Sequence, residues 1–243
     1  MDFLNLFRSE NISACRRCCG TLELNCFNVP RFLIFILFSV VLPYITYQAV
    51  SEKLKWTERK KKTTIDNVGD GLYAAFLQIP LFLIGNQSTC FDWMTIIGVF
   101  AGIMLFGFVS ESPVLHHSLV SVSAWGPQMY LVMTSLALTI LGMTGFHVYL
   151  ATQVPGPFWK IYITAFLVPI TMLGLGWAAV KRQNRDENQP KASIHLHHAS
   201  IFYALAFFAR FPHPISRIAA GLAMGCSLHG IAAYGFDDTF VQN

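Results

Sequence analysis

From Arg31 onward the chain is a succession of long apolar runs separated by short polar connections. These runs constrain the fold most, because a helix needs roughly 20 apolar residues to cross a hydrocarbon core of about 30 Å. Arg31 to about Val50 is the first run, and residues 71–86, 92–110, 127–151, 158–180, 194–210 and 215–236 follow. Backbone inside lipid must satisfy its own hydrogen bonds. No run alternates with period 2 over barrel-strand lengths, so helices are expected throughout. The expected fold is all-α, a polytopic transmembrane helical bundle of about seven spans, or six if the short 71–86 run is re-entrant.

Composition agrees. Of 243 residues, 54% are hydrophobic, 12% are charged and 21 are Phe, whereas soluble domains carry roughly 25% charged residues. A disordered chain, a collagen-like chain and a disulfide-stapled secreted module are excluded. The net charge of +4 is too weak to point to nucleic acid. The expected organisation is a Cys-rich N-terminal segment, 1–30, followed by a single transmembrane domain, 31–243. The opening MDFLNLFRSE lacks a basic n-region and a small-residue cleavage site, so the first span is expected to act as its own insertion signal.

Two connections are basic. Residues 51–68 hold Lys53, Lys55, Arg59, Lys60, Lys61 and Lys62, and residues 181–193 hold Lys181, Arg182, Arg185 and Lys191. With seven spans both fall on one side, and Lys/Arg enrichment assigns that side to the cytoplasm. The expectation is N-terminus out and C-terminus in, against the opposing Arg8, Arg16, Arg17 and Arg31. Arg210 and Arg217 are expected to anchor the last hairpin to headgroups at the opposite interface.

Four of six cysteines, Cys15, Cys18, Cys19 and Cys26, crowd one stretch. They suit zinc, disulfides in an oxidising lumen, palmitoylation beside a cytosolic span end, or a tail of unmodified thiols. Asn11-Ile12-Ser13 and Asn86-Gln87-Ser88 match the glycosylation pattern, which is also common by chance.

The eight histidines are placed unevenly. His116 and His117 follow the third span; His195, His197 and His198 open the sixth; His229 lies inside the seventh. The last two spans should form a hairpin turning at Phe211-Pro212-His213-Pro214, where prolines end the helix. His198 stands 15 residues before His213 and His229 stands 16 after it, so both lie about 22–24 Å from the turn at about 1.5 Å per residue. With Ser193 as N-cap, His195 and His198 would share a helical face near the positive helix end, which disfavours imidazolium. Gly221, Gly225 and His229 form a stripe of the kind that lets membrane helices approach closely, with Asp237 near that face beside Asp238. Neutral imidazoles plus a carboxylate suit a zinc, iron or copper ion, with haem a less fitting variant. The candidate ligands are His195, His198 and His229, then His197, Asp237, His116 and His117. His147 and His213 are read as structural, hydrogen-bonded residues.

The pattern His195-Leu-His-His198 followed by Gly221-x-x-x-Gly225-x-x-x-x-Gly230-Ile-Ala-x-x-Gly235-Phe-Asp237 resembles the C-terminal multi-span membrane region of fungal LCCL-domain proteins. The resemblance covers residues 195–237 and implies the closing hairpin without an activity. Two functions therefore compete. One is a membrane protein with a histidine metal site near one face, as a metal-dependent enzyme on lipid-like substrates or a metal-handling or redox protein. The other is a non-catalytic helical scaffold or accessory subunit of a larger membrane complex, with membrane lipids and other membrane subunits as partners. A transporter ranks third, because the fourth and fifth spans lack intramembrane acids or bases apart from His147.

Overall fold

The computed structural model describes residues 29–57, 59–85, 87–112, 126–154, 156–183, 192–194, 198–235 and 240–242. These form seven principal helices: α1 (Val29–Lys53), α2 (Thr64–Leu83), α3 (Trp93–Ser110), α4 (Pro127–Thr152), α5 (Phe158–Gln183), α6 (His198–Phe208) and α7 (Pro214–Tyr234). A single helical turn, Gln87–Cys90, precedes α3. Five of the seven, α1, α3, α4, α5 and α7, are long and apolar enough to cross a membrane. The remaining two match their expected spans less closely. α2 starts at Thr64 rather than 71, and α6 is 11 residues long.

The helix ends follow from local chemistry. Thr63 and Asp66 form a reciprocal capping box: the Thr63 N–H donates to Asp66 Oδ2 (2.9 Å) and the Asp66 N–H to Thr63 Oγ1 (3.2 Å). Asp92 caps α3 by accepting from the Met94 and Thr95 N–H groups. Pro127 and Pro214 occupy first-turn positions, where a missing N–H costs nothing. Inside α1, Pro43 follows a π turn at Leu37–Val41, in which the Leu42 N–H reaches Leu37 O. A proline ring clashes with the carbonyl four residues before it, and the wider turn makes room for it.

Two three-residue strands are the exception to helices throughout. Ala192–Ile194 (β1) pairs antiparallel with Phe240–Gln242 (β2), setting Ser193 opposite Val241. The expected Ser193 N-cap is thereby overturned. The returning tail offers Phe240 and Val241, aromatic and β-branched residues suited to strands, and α6 starts only at His198.

α1, α3 and α7 run parallel, with α2 and α6 antiparallel to them. At one end Phe35 meets Phe91 (5.0 Å between ring centroids) and Phe32 meets Phe82 (5.2 Å). At the other, Gln48 and Lys62 reach the last carbonyls of α7. The connection after α1 lies at this second end, as does the C-terminus of α5, joined through β1 and β2 to the chain beyond α7. It is called the basic end here.

The most extensive helix contact joins α7 to α3. Gly221 and Gly225 pack on Gly98 and Gly102. A Cβ on Gly221 would meet Gly98 Cα at 2.8 Å and one on Gly225 would meet Ile103 N at 2.7 Å. The glycine stripe therefore faces protein, and the backbone it packs on is that of α3. Close backbone packing of this kind is what draws helices together where the surroundings are as apolar as the side chains. Around this seam, Tyr47, Ile103, Leu228 and Ile231 fill the half near the basic end. Phe35, Leu81, Val99 and Met224 fill the other.

Candidate functional site

His229 is fully buried on α7. Its ring stands edge-on to Tyr47 (5.1 Å), with Phe106 at 5.2 Å and Tyr234 at 6.0 Å. Phe106 in turn meets Phe202 of α6 at 5.4 Å. Ala199, at the start of α6, packs against the cluster that contains Leu228, Ile231 and Ala232. The opening of α6 and the His229 segment thus share one depth in the fold. The side chain of His198 lies outside the described part of the structure, as do His195, His197, His116, His117 and Asp237. Among the described residues, no group of three His, Cys, Asp or Glu side chains is arranged to hold a metal ion. Cys15, Cys18, Cys19, Cys26, Asn11 and Asn86 also fall outside the described residues.

One turn beyond His229 is a polar cap that sequence reasoning missed. The last carbonyls of a helix have no partner within it, and here other segments supply the donors. Lys62 Nζ donates to Ile231 O (2.7 Å) and Ala232 O (2.9 Å) and pairs with Asp70 Oδ2 (2.7 Å). The Lys60 N–H donates to Ala233 O (2.9 Å), and Gln48 Nε2 to Ala232 O (3.3 Å). Arg59 holds Gln48 Oε1 and Ser51 Oγ from outside. A cation at a helix C-terminus also suits the helix dipole. Burial pushes the Lys62 ammonium below its ordinary value, and its bond to Asp70 works the other way. Six basic residues close in sequence read as a solvated loop, yet one of them is a buried helix cap.

The opposite end carries two further constellations. Arg217, on the first turn of α7, forms an ion pair with Asp92 of the α3 cap, each side chain 13% exposed. This corrects the expectation that Arg217 anchors to headgroups. The α3 cap needs its carboxylate, and the parallel packing of α3 and α7 brings the two N-terminal turns side by side. Arg210 lies over the Phe158 ring at 5.9 Å. Nearby, the His147 ring bonds Met143 O through Nδ1 (2.7 Å) and Ser216 Oγ through Nε2 (2.9 Å), while the Phe211 N–H donates to Ser216 Oγ (3.1 Å). A carbonyl can only accept, so Nδ1–H donates to Met143 O, and in the neutral ring Nε2 then accepts from the Ser216 hydroxyl. His213 caps α7 by accepting from the Ile215 N–H (3.2 Å). His147 and His213 both have structural partners.

Between α4 and the α3–α7 seam lies a cleft of about 1220 Å³, bounded also by α5 and α6. Its walls are overwhelmingly apolar. α4 and α5 join the rest at the far end from the basic loops through His147, through Tyr162 whose hydroxyl donates to Phe208 O (2.6 Å), and through Phe166 against Phe208, while α5 is also held at the basic end by β1.

Fold and site together define a helical protein with five helices suited to a membrane, tied by three buried polar constellations. Comparison with protein-family models, with curated proteins and with solved structures finds no match.

Proposed function

We propose that the protein is an integral membrane protein of seven crossings that works as a non-catalytic helical scaffold or accessory subunit within a larger membrane assembly. The carrying observation is how its buried polar groups are used. Lys62, Asp92 with Arg217, and His147 with Ser216 each tie one helix to another. Intramembrane ionisable groups are costly, and here that cost fixes architecture. In this reading α2 and α6 complete the seven crossings, the basic end faces the cytoplasm and the N-terminus faces out. The likeness of residues 195–237 to the fungal LCCL-domain membrane region fits the same closing hairpin. Extraction in a mild detergent followed by native gel and mass analysis is the test. Stoichiometric membrane subunits co-migrating with the chain are expected, and a chain running alone at all detergent levels refutes the scaffold role. Cysteine labelling of the 51–68 loop in sealed vesicles checks orientation, and labelling from the lumenal side reverses it.

A second reading is favoured by one observation, the shared depth of fully buried His229 and the start of α6. Here imidazoles from α6 and α7 hold a zinc, iron or copper ion, with Asp237 and the His116–His117 connection as further ligands. Metal analysis of purified protein decides it: a stoichiometric metal lost in both His198→Ala and His229→Ala supports the reading, and a metal-free preparation removes it.

A further inference from the structure

We propose that the cleft between α4 and the α3–α7 seam is a binding site for one anionic phospholipid, acyl chains along the cleft and phosphate at the basic end. Its α4 wall runs from Met129 to Val148, about 28 Å at 1.5 Å per residue, which matches a hydrocarbon core of about 30 Å. The cleft is therefore deep enough to take extended acyl chains in full from a headgroup at the basic end.

The occupant must also be apolar along its length, because most of the polar side chains on the wall are already engaged. The Thr139 hydroxyl donates to Ser135 O (2.8 Å), Ser110 to Gly107 O (2.9 Å) and Tyr162 to Phe208 O (2.6 Å). Both ring nitrogens of His147 are used within the protein. A water chain or a polar solute would find few partners there, whereas acyl chains need none. Met129, Met133 and Met143 line the same wall, and unbranched thioether side chains adapt to irregular apolar surfaces. None of the apolar window of α5 is buried and almost none of that of α4. Both helices thus face hydrocarbon outside as well as at the cleft, and acyl chains reach it from the side.

Charge fixes the polarity of the occupant. Lys53, Lys55, Lys60 and Lys61 lie at the basic end and are largely solvent-facing, and none has an ion pair among the described residues. Lys181 lies there over the Trp177 ring (4.9 Å), with Arg182 beside it. The lining of the cleft reaches this end at Val109, Ser110 and Tyr234, with the basic residues beyond it. Trp56, from the segment bearing Lys53 and Lys55, packs on Phe108 at 5.2 Å. Basic residues beside a membrane surface attract anionic lipid.

The test is native mass spectrometry of the full chain released from nanodiscs of equal phosphatidylglycerol and phosphatidylcholine. Wild type should retain one phospholipid per chain, with phosphatidylglycerol favoured at least fivefold. Thr139→Trp, which fills the cleft from the loosely packed α4 side, should lose that lipid. Lys53→Gln/Lys55→Gln/Lys181→Gln/Arg182→Gln should keep a lipid but lose the preference. A nitroxide on Cys226, which faces the cleft, in a chain whose other cysteines are serine, gives a second readout independent of Thr139→Trp. It should show strong dipolar broadening with mid-chain doxyl phosphatidylglycerol. Absence of retained lipid in wild type overturns the proposal, as does lack of broadening at Cys226. Efficient cross-linking of Cys226 to Met133→Cys would mean that α4 itself fills the cleft, and a dimer that protects Cys226 would mean a second copy does; either result refutes it.

Discussion

Gly221→Ala isolates the energy of the α3–α7 seam. A Cβ there would meet backbone of α3, namely Thr95 O, Gly98 Cα at 2.8 Å and Val99 N at 2.9 Å. Carbon atoms pack comfortably at about 3.5–4.0 Å, so α3 would have to retreat by about 1 Å along much of the contact. No flexible side chain can yield instead. Overpacking of this kind costs about 1–3 kcal/mol, set against the roughly 1 kcal/mol by which Ala favours a helix over Gly. Gly142→Ala on α4 is the matched control, because a Cβ there meets nothing within 4 Å. Both changes gain the same helix propensity, so the difference between them reads the packing cost alone. It should be about 2 kcal/mol, or about 30-fold in the unfolding constant. Sodium dodecyl sulfate titration in dodecylmaltoside micelles, followed by tryptophan fluorescence, measures it, since Trp56 packs beside Gly107 of α3. Gly142→Ala should unfold at or above the wild-type midpoint and Gly221→Ala clearly below it. Coincident midpoints for the two variants would refute the seam.

Ser216→Ala removes the hydroxyl that bonds His147 Nε2 and accepts from the Phe211 N–H; leaving two buried groups unpaired should cost about 2–4 kcal/mol in the same titration. Asp92→Asn and Arg217→Ala should each destabilise by about 2–4 kcal/mol and fall short of additivity when combined, because they share one ion pair. Additive losses would mean the pair is not formed. Asp66 is held below its ordinary carboxylate value by the hydrogen bonds from the Thr63 backbone and side chain. Its depressed folded-state value means that its contribution to capping α2 is fully present above the ordinary Asp range. That contribution is lost as pH falls through the lower folded-state value. Carbon-13 titration of the Asp66 carboxyl should show the depressed midpoint, and Thr63→Ala should return it toward the ordinary value.

Much of the helix pattern was legible along the chain, and less of the site. Pro127 and Pro214 mark two helix starts, Asp92 marks a third, and Gly235, with φ of 82°, closes α7 where a residue without Cβ is favoured. The Gly221-x-x-x-Gly225 stripe announced a close helix contact, and Gly98-x-x-x-Gly102 was there to be read as its partner. Nothing local chooses between that partner and the preceding helix, since neighbours in sequence are usually neighbours in space. Ser193 was misassigned because a serine before an apolar run reads as an N-cap, and nothing local reveals a strand partner at Val241. Arg217 and Lys62 look in sequence like interfacial cations, and only a partner more than a hundred residues away in the chain gives each its role.

The length of the apolar runs, proline and glycine punctuation and the near absence of charge within the runs are properties of contiguous sequence. These local features determined that the chain is helical and where most of its helices begin and end. Which helices touch was decided only in the tertiary structure. The long helices are apolar on nearly every face, so hydropathy cannot choose between pairings. The choice falls to backbone approach at four glycines and to three buried polar ties, whose partners meet only after the chain has folded.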